Sequence, residues 1–95
     1  PKLIEGVDWY DGKKACEEVF AQMPNLRQCQ AIYDNKEVLN QSLAAAGFTS
    51  IGDEVVWSST EYSNYFAWLF SMYVGGRYNY VKDFTNGYVR PVLAL

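Results

Sequence analysis

Apolar residues recur at three and four positions upstream of Gly47 and at every second position after Val55. The first spacing is that of helices with one buried stripe and the second that of strands, so the chain reads as a helical half followed by a strand half, an α+β class. Pro1 to Tyr10, with Leu3, Ile4, Val7, Trp9 and Tyr10, predicts a short entry strand that pairs with another. Asp11 is the expected N-cap of a helix over Gly12 to Met23, because its carboxylate can accept from first-turn amides. Ala15, Cys16, Val19, Phe20 and Met23 form that helix's expected core stripe, and Pro24 ends it. Asn25-Leu26-Arg27-Gln28 reads as a capping box opening a second helix whose buried face is Cys29, Ile32 and Tyr33. The pattern breaks at Asp34-Asn35. Lys36 to Ala46, with Leu39, Leu43 and Ala46 on one side, is either a bent continuation or a third helix, closed by Gly47 in the left-handed conformation. Phe48 to Glu54 is the expected polar connection to the strands.

Between Tyr65 and Val74 the even positions Phe66, Trp68, Phe70, Met72 and Val74 are continuously apolar, which marks them as the expected core face. The odd positions are Tyr65, Ala67, Leu69, Ser71 and Tyr73. Gly75-Gly76 predicts a tight hairpin, since both residues accept positive φ. With a loop of two or of four residues, Tyr78 and Tyr80 return on the face of Leu69, Ser71 and Tyr73, so a tyrosine-rich display face is expected. Asp83 to Gly87 reads as a loop and Tyr88 to Leu95 as a last strand, with Pro91, which has no amide donor, at an edge or a bulge.

Eight Tyr, five Phe and three Trp in 95 residues are more rings than one small core buries, so some must face water or a partner. The length fits a single domain. A net charge of -3 with few, scattered Lys and Arg argues against a phosphate-neutralising surface, and nucleic acid is not an expected partner. The chain has no histidine, which removes Ser-His and Cys-His pairs and His-containing metal sites. Cys16 and Cys29 are too few for a thiolate zinc site. Two buried reduced thiols are expected, with one disulfide as the alternative. No apolar run approaches the ~20 residues needed to span a bilayer, so no membrane insertion is expected. Pro1 in place of Met leads to the expectation of a processed product or a module of a longer protein.

Ser58-Ser59-Thr60 has the look of a nucleophile cluster, but Lys82 is the only nearby base, and such hydroxyls more often bridge backbone in a buried turn after Trp57. Asp53, Glu54 and Glu61 lack the oxygen density that calcium needs. Asn40-Gln41-Ser42 fits the glycosylation sequon but falls in a predicted helix. No catalysis, metal or cofactor is expected. The odd-face rings, by contrast, are interleaved with Ser, Asn and Gly, a paratope-like composition in which Tyr supplies contact area at low entropic cost. The competing reading is that aromatics are good strand formers and are covered by another segment.

The run Trp57-Ser58-Ser59-Thr60-Glu61-Tyr62-Ser63, with Ala67-Trp68, Gly75, Lys82 and Tyr88-Val89-Arg90-Pro91-Val92, resembles the carboxy-terminal signature of C-type-lectin-fold variable proteins of diversity-generating retroelements and their bacterial surface-protein relatives. Ala31-Ile32-Tyr33-Asp34-Asn35-Lys36 and Ala44-Ala45-Ala46-Gly47 resemble the same family's helical half. The resemblance implies a compact C-type lectin-like fold of the formylglycine-generating-enzyme type, two or three helices on a small mixed or antiparallel sheet with paired terminal strands. It implies a fixed framework of Trp57, Trp68, Phe70, Met72, Gly75, Lys82, Tyr88, Arg90 and Pro91. The diversified positions would come from Asn64, Tyr65, Phe66, Leu69, Ser71, Tyr73, Val74, Gly76, Tyr78, Asn79, Tyr80, Val81, Asp83, Phe84, Asn86 and Gly87. Three departures stand out. Phe70 and Met72 replace the usual Val and Phe, Arg77 replaces an apolar residue and puts the register after the hairpin in question, and neither a calcium-lectin signature nor the copper-site cysteine pair of the related oxidase is present.

The expected function is non-enzymatic recognition of a protein or cell-surface ligand through Asn64, Tyr65, Phe66, Leu69, Ser71, Tyr73, Tyr78, Asn79, Tyr80, Asp83, Phe84 and Asn86. The alternative is an assembly domain whose aromatic face packs on a neighbouring subunit. The resemblance, and not either function by itself, implies a bacterial cell surface or phage particle as the setting, and the oligomeric state is left open.

Overall fold

Asp8, not Asp11, starts the first helix. In the computed structural model, which describes residues 3–47 and 50–92, strand β1 (Ile4–Val7) passes almost directly into helix α1 (Trp9–Glu18), and the Asp8 carboxylate accepts from Asp11 N at 2.8 Å. The earlier start buries Trp9 and sets Gly12 against the sheet, where a Cβ would come 2.6 Å from a Val89 methyl. The helix also ends earlier than the stripe predicts. Phe20 takes φ +58°, its amide donates to Glu17 O at 3.1 Å and Ala21 N donates to Cys16 O at 2.9 Å. This is a Schellman closure with phenylalanine where glycine is usual. Of the expected stripe, Cys16 and Met23 are buried and Ala15 is half-buried, while Val19 is exposed and Phe20 is 92% exposed.

The second helix, α2 (Leu26–Asp34), opens on the expected capping box: Asn25 accepts from Gln28 N and Gln28 accepts from Asn25 N, each at 2.8 Å. The break at Asn35 yields a separate third helix, α3 (Lys36–Ala45), and Gly47 beyond it adopts φ +76°. Asn40 binds both the amide and the carbonyl of Ile51, at 2.6 and 3.0 Å, so the sequon asparagine is an internal clamp.

Strands β2 (Val55–Glu61), β3 (Phe66–Ser71), β4 (Arg77–Val81) and β5 (Gly87–Val89) join β1 in one sheet of order β1-β5-β2-β3-β4. β5 runs parallel to β2 and the other pairs are antiparallel, so the sheet is mixed and its terminal strands, β1 and β5, are paired. Three helices on this sheet make the α+β, lectin-like arrangement that the resemblance implies. Pro91 lies past the end of β5 rather than within a strand, and beyond it Val92 bridges Gln22. The first two residues of the expected entry strand, Phe48 and Thr49 of the expected connection, and the last three of the expected final strand lie outside the described residues.

The expectation of one core face and one display face is overturned for β3. Trp57, Ala67, Leu69 and Val89 pack with Trp9, Cys16 and Met23 beneath α1. Val56, Phe70 and Met72 pack with Cys29, Ile32, Leu39 and Leu43 beneath α2 and α3. The sheet is thus covered on both faces, and its middle strands alternate between two cores rather than between core and water. Of the even positions, Phe70 and Met72 are fully buried, Phe66 and Trp68 half-buried, and Val74 exposed in the turn.

Candidate functional site

The hairpin between β3 and β4 sets what the domain shows on its open edge. Phe70 stands opposite Arg77, Leu69 opposite Tyr78 and Ala67 opposite Tyr80. Tyr78 and Tyr80 therefore do return on the odd face of β3, but the connection is longer than the expected two or four residues: Phe70–Arg77 is the last pair, and Tyr73 and Val74 fall in the turn instead of the strand. The turn spans Met72 to Gly76, with Gly75 N donating to Ser71 O at 2.9 Å and Gly75 at φ +72° against the Tyr33 ring. Arg77, the residue that put the register in question, sits at the sheet edge beside Gln30 and Asp34 of α2. All five residues of β4 are exposed.

Leu69, Tyr78, Asn79, Tyr80, Phe84 and Asn86, half of the expected ligand-facing set, line one groove of about 960 Å³. Its floor is Leu69, only 4% exposed, while Tyr78 and Tyr80 stand above it at 53% and 48%. Tyr80 is held rather than loose. The Tyr80 ring meets Phe84 edge-on at 4.8 Å and Phe84 meets Trp57 at 6.4 Å, a chain of rings running from surface to core. Trp57 is fixed in turn by its indole nitrogen, which donates to Val7 O at 3.0 Å.

The other expected residues are not in the groove. Ser71 is buried and its hydroxyl accepts from Tyr73 N and Val74 N at 3.3 Å, so it builds the turn. Tyr73 lies at the turn and lines a separate hollow with Tyr33 and Glu37. Asn64 and Tyr65 are exposed in the β2–β3 connection, Phe66 is half-buried against Tyr62, and Asp83 is exposed after β4. Gly87 cannot be a varied display position, because any Cβ there would collide with the Trp57 indole. Leu3, Glu5 and Val55 line the groove without having been expected there. The pairing of the terminal strands, which brings β1 beside β5, is the signal that could have placed Leu3 and Glu5.

Arg90 and Lys82 tie these elements together. Arg90 donates to Ser50 O at 2.9 Å and to Glu54 Oε1 at 3.0 Å. Lys82 is 3% exposed and bonds Glu61 at 2.5 Å, a hydrogen bond that lowers the Glu61 pKa. The Ser58-Ser59-Thr60 stretch is not a turn but an irregularity within β2, where pairing with β3 shifts between Trp57 and Glu61. Ser58 O accepts from the Trp9 indole at 2.9 Å, Ser59 N donates to Pro24 O at 2.8 Å, and Thr60 Oγ1 accepts from Leu26 N at 3.3 Å. These groups leave the ladder to tie the helices to the sheet.

Cys16 and Cys29 are free and buried in different cores, as expected of reduced thiols. Burial pushes the Cys16 pKa up to about 11 and that of Cys29 up to about 12, which keeps both as weakly nucleophilic thiols at neutral pH. Among the described residues, no three His, Cys, Asp or Glu side chains are grouped to hold a metal ion, and no helix is long and apolar enough to cross a membrane. No model of a known protein family matches the chain, and no curated protein matches it.

Proposed function

We propose that this domain is a non-enzymatic ligand-binding module, presenting Tyr78 and Tyr80 with Asn79, Phe84 and Asn86 to a protein or cell-surface ligand. The observation that carries the reading is the contrast between neighbours on one face: Leu69 is sealed and the two tyrosines opposite and beside it are half open. The Tyr80 ring, already braced by Phe84, loses little freedom on binding, which favours affinity, and the asparagines supply adaptable polar contacts. The sequence resemblance extends the proposal to a diversified variable protein on a bacterial surface or phage particle.

Replacing Tyr78 and Tyr80 together by Ser tests the display reading against Leu69→Ala as a core reference. The double variant is expected to keep its stability within about 1 kcal/mol, whereas Leu69→Ala should lose about 2–5 kcal/mol. A tyrosine variant that melts as early as the leucine variant would show the rings to be core and end the proposal. Diversification has its own test: a near-copy of the last coding segment, mismatched at adenines, beside a reverse transcriptase gene. Its absence removes diversification and leaves display standing.

The fully exposed β4 edge favours a second reading, in which this side packs on a neighbouring subunit. Sedimentation separates the two. Concentration-dependent association that the tyrosine double variant abolishes selects assembly, and a monomer at every concentration selects free display.

A further inference from the structure

The groove carries a charge pattern that narrows its ligand. Three carboxylates line it, those of Glu5, Asp53 and Glu54, and among the described residues no lysine or arginine does. Glu54 is committed to Arg90 at 3.0 Å and to Gly52 N at 2.8 Å. Among the described residues Asp53 has one loose ion-pair neighbour, Lys36 Nζ at 3.6 Å, which also donates to Met72 O at 3.1 Å. The Asp53 side chain is 71% exposed, and Glu5 is exposed on β1 with no ion pair among the described residues. Glu5 and Asp53 thus put negative charge on the groove's rim while Tyr78, Tyr80 and Phe84 put aromatic rings along it.

We infer that the groove takes a basic side chain, arginine before lysine, carried on a peptide segment of the partner. A guanidinium fits both parts of the lining: its plane stacks on a ring, its methylene stem lies along Leu69 and Val55, and its fork of donors meets a carboxylate. A compact ammonium uses only the charge. An acidic side chain would meet like charge with nothing in the lining to neutralise it, and the chain's net charge of -3 also steers cations toward the surface. This assignment rests on the ligand-binding reading above and adds the chemical class of the ligand to it.

The test uses the whole domain, labelled for amide NMR, and three blocked pentapeptides that differ only in a central Arg, Gln or Glu between leucines. The Arg peptide should shift the amides of Tyr78, Asn79, Tyr80 and Phe84 and bind about tenfold more tightly than the Gln peptide, the gain expected of one desolvated cation–π contact with a carboxylate. The Glu peptide should bind least, and added salt should shrink the Arg advantage. The pair Glu5→Gln and Asp53→Asn, both at exposed sites, should bring the Arg peptide down toward the Gln peptide without lowering the melting temperature. Equal binding of the Arg and Gln peptides in the groove would overturn the inference and leave the ligand-binding proposal standing. An Arg peptide that shifts other surfaces only, or none of the peptides shifting the groove, would also overturn it, while the proposal itself answers to the tyrosine stability test.

Discussion

Lys82 holds its ammonium 4.5 Å from the centre of the Trp9 ring and bonds the Glu61 carboxylate, so one buried cation joins β4's end to α1 and to β2. Backbone bonds reinforce the junction: Trp9 N donates to Lys82 O at 2.9 Å and Lys82 N to Tyr65 O at 2.8 Å. Lys82→Ala, which removes the stem packed on Trp9 together with the charge, should destabilise the fold by about 2–4 kcal/mol. Lys82→Met, which keeps the stem, should cost less. Urea denaturation of the two variants reads the difference.

The same pair sets an acid dependence. The hydrogen bond and charge of Lys82 hold Glu61 below the ordinary carboxylate range. A depressed folded-state pKa contributes stability that is complete above the unfolded value and is lost as pH falls through the folded value. Melting temperatures of wild type and Glu61→Gln should therefore differ at neutral pH and converge in acid. A difference that persists after the carboxylate is protonated would contradict this origin.

Gly87→Ala should unfold part of the population at temperatures the wild type tolerates. The added methyl has no room beside the fully buried Trp57 ring, and overpacking of this kind costs about 1–3 kcal/mol or more. The Trp57 indole bond to Val7 O lies in the same contact, so near-ultraviolet dichroism should weaken along with stability.

Phe20→Gly should stabilise the domain. Phe20 occupies the left-handed closing position of α1 with its ring in water, so the substitution removes strain of about 1 kcal/mol and no buried contact. A rise of a few degrees in melting temperature is the expected result.

Cys16 and Cys29 should resist a thiol reagent at mildly alkaline pH in the native protein and react at once in denaturant. Their pKa values of about 11 and 12 arise chiefly from desolvation. Because the folded state keeps these protons after the unfolded chain has released them, stability should fall as pH rises beyond the ordinary thiol range. A Cys16→Ala, Cys29→Ala variant should show a shallower alkaline loss.

Legibility followed the range of the interaction. The capping box at Asn25 and Gln28 and the left-handed Gly47 are settled within a few residues, and both stand where the sequence puts them. Asp11 lost the N-cap to Asp8 because burying Trp9 beneath Lys82 and fitting Gly12 against Val89 are contacts across the fold. Phe20 carried no local sign of a left-handed residue. Leu69 and Ser71 were expected at the surface because alternation along a strand is silent on whether the second face is covered, and here α1 and the turn cover it.

What the sequence determined alone is the division into helices and strands, the α+β class, and the return of Tyr78 and Tyr80 to one face, since a strand's two-residue period gives the same face for any connection of even length between paired residues, the observed longer one included. Tertiary structure decided which members of that face see water. Helix α1 covers Leu69 and the β3–β4 turn covers Ser71, while the β4 tyrosines stay open. Tertiary structure also brought Glu5 from the paired amino-terminal strand to the groove that those tyrosines line. Exposure and charge at a groove are sums over elements distant in sequence, which no local pattern contains.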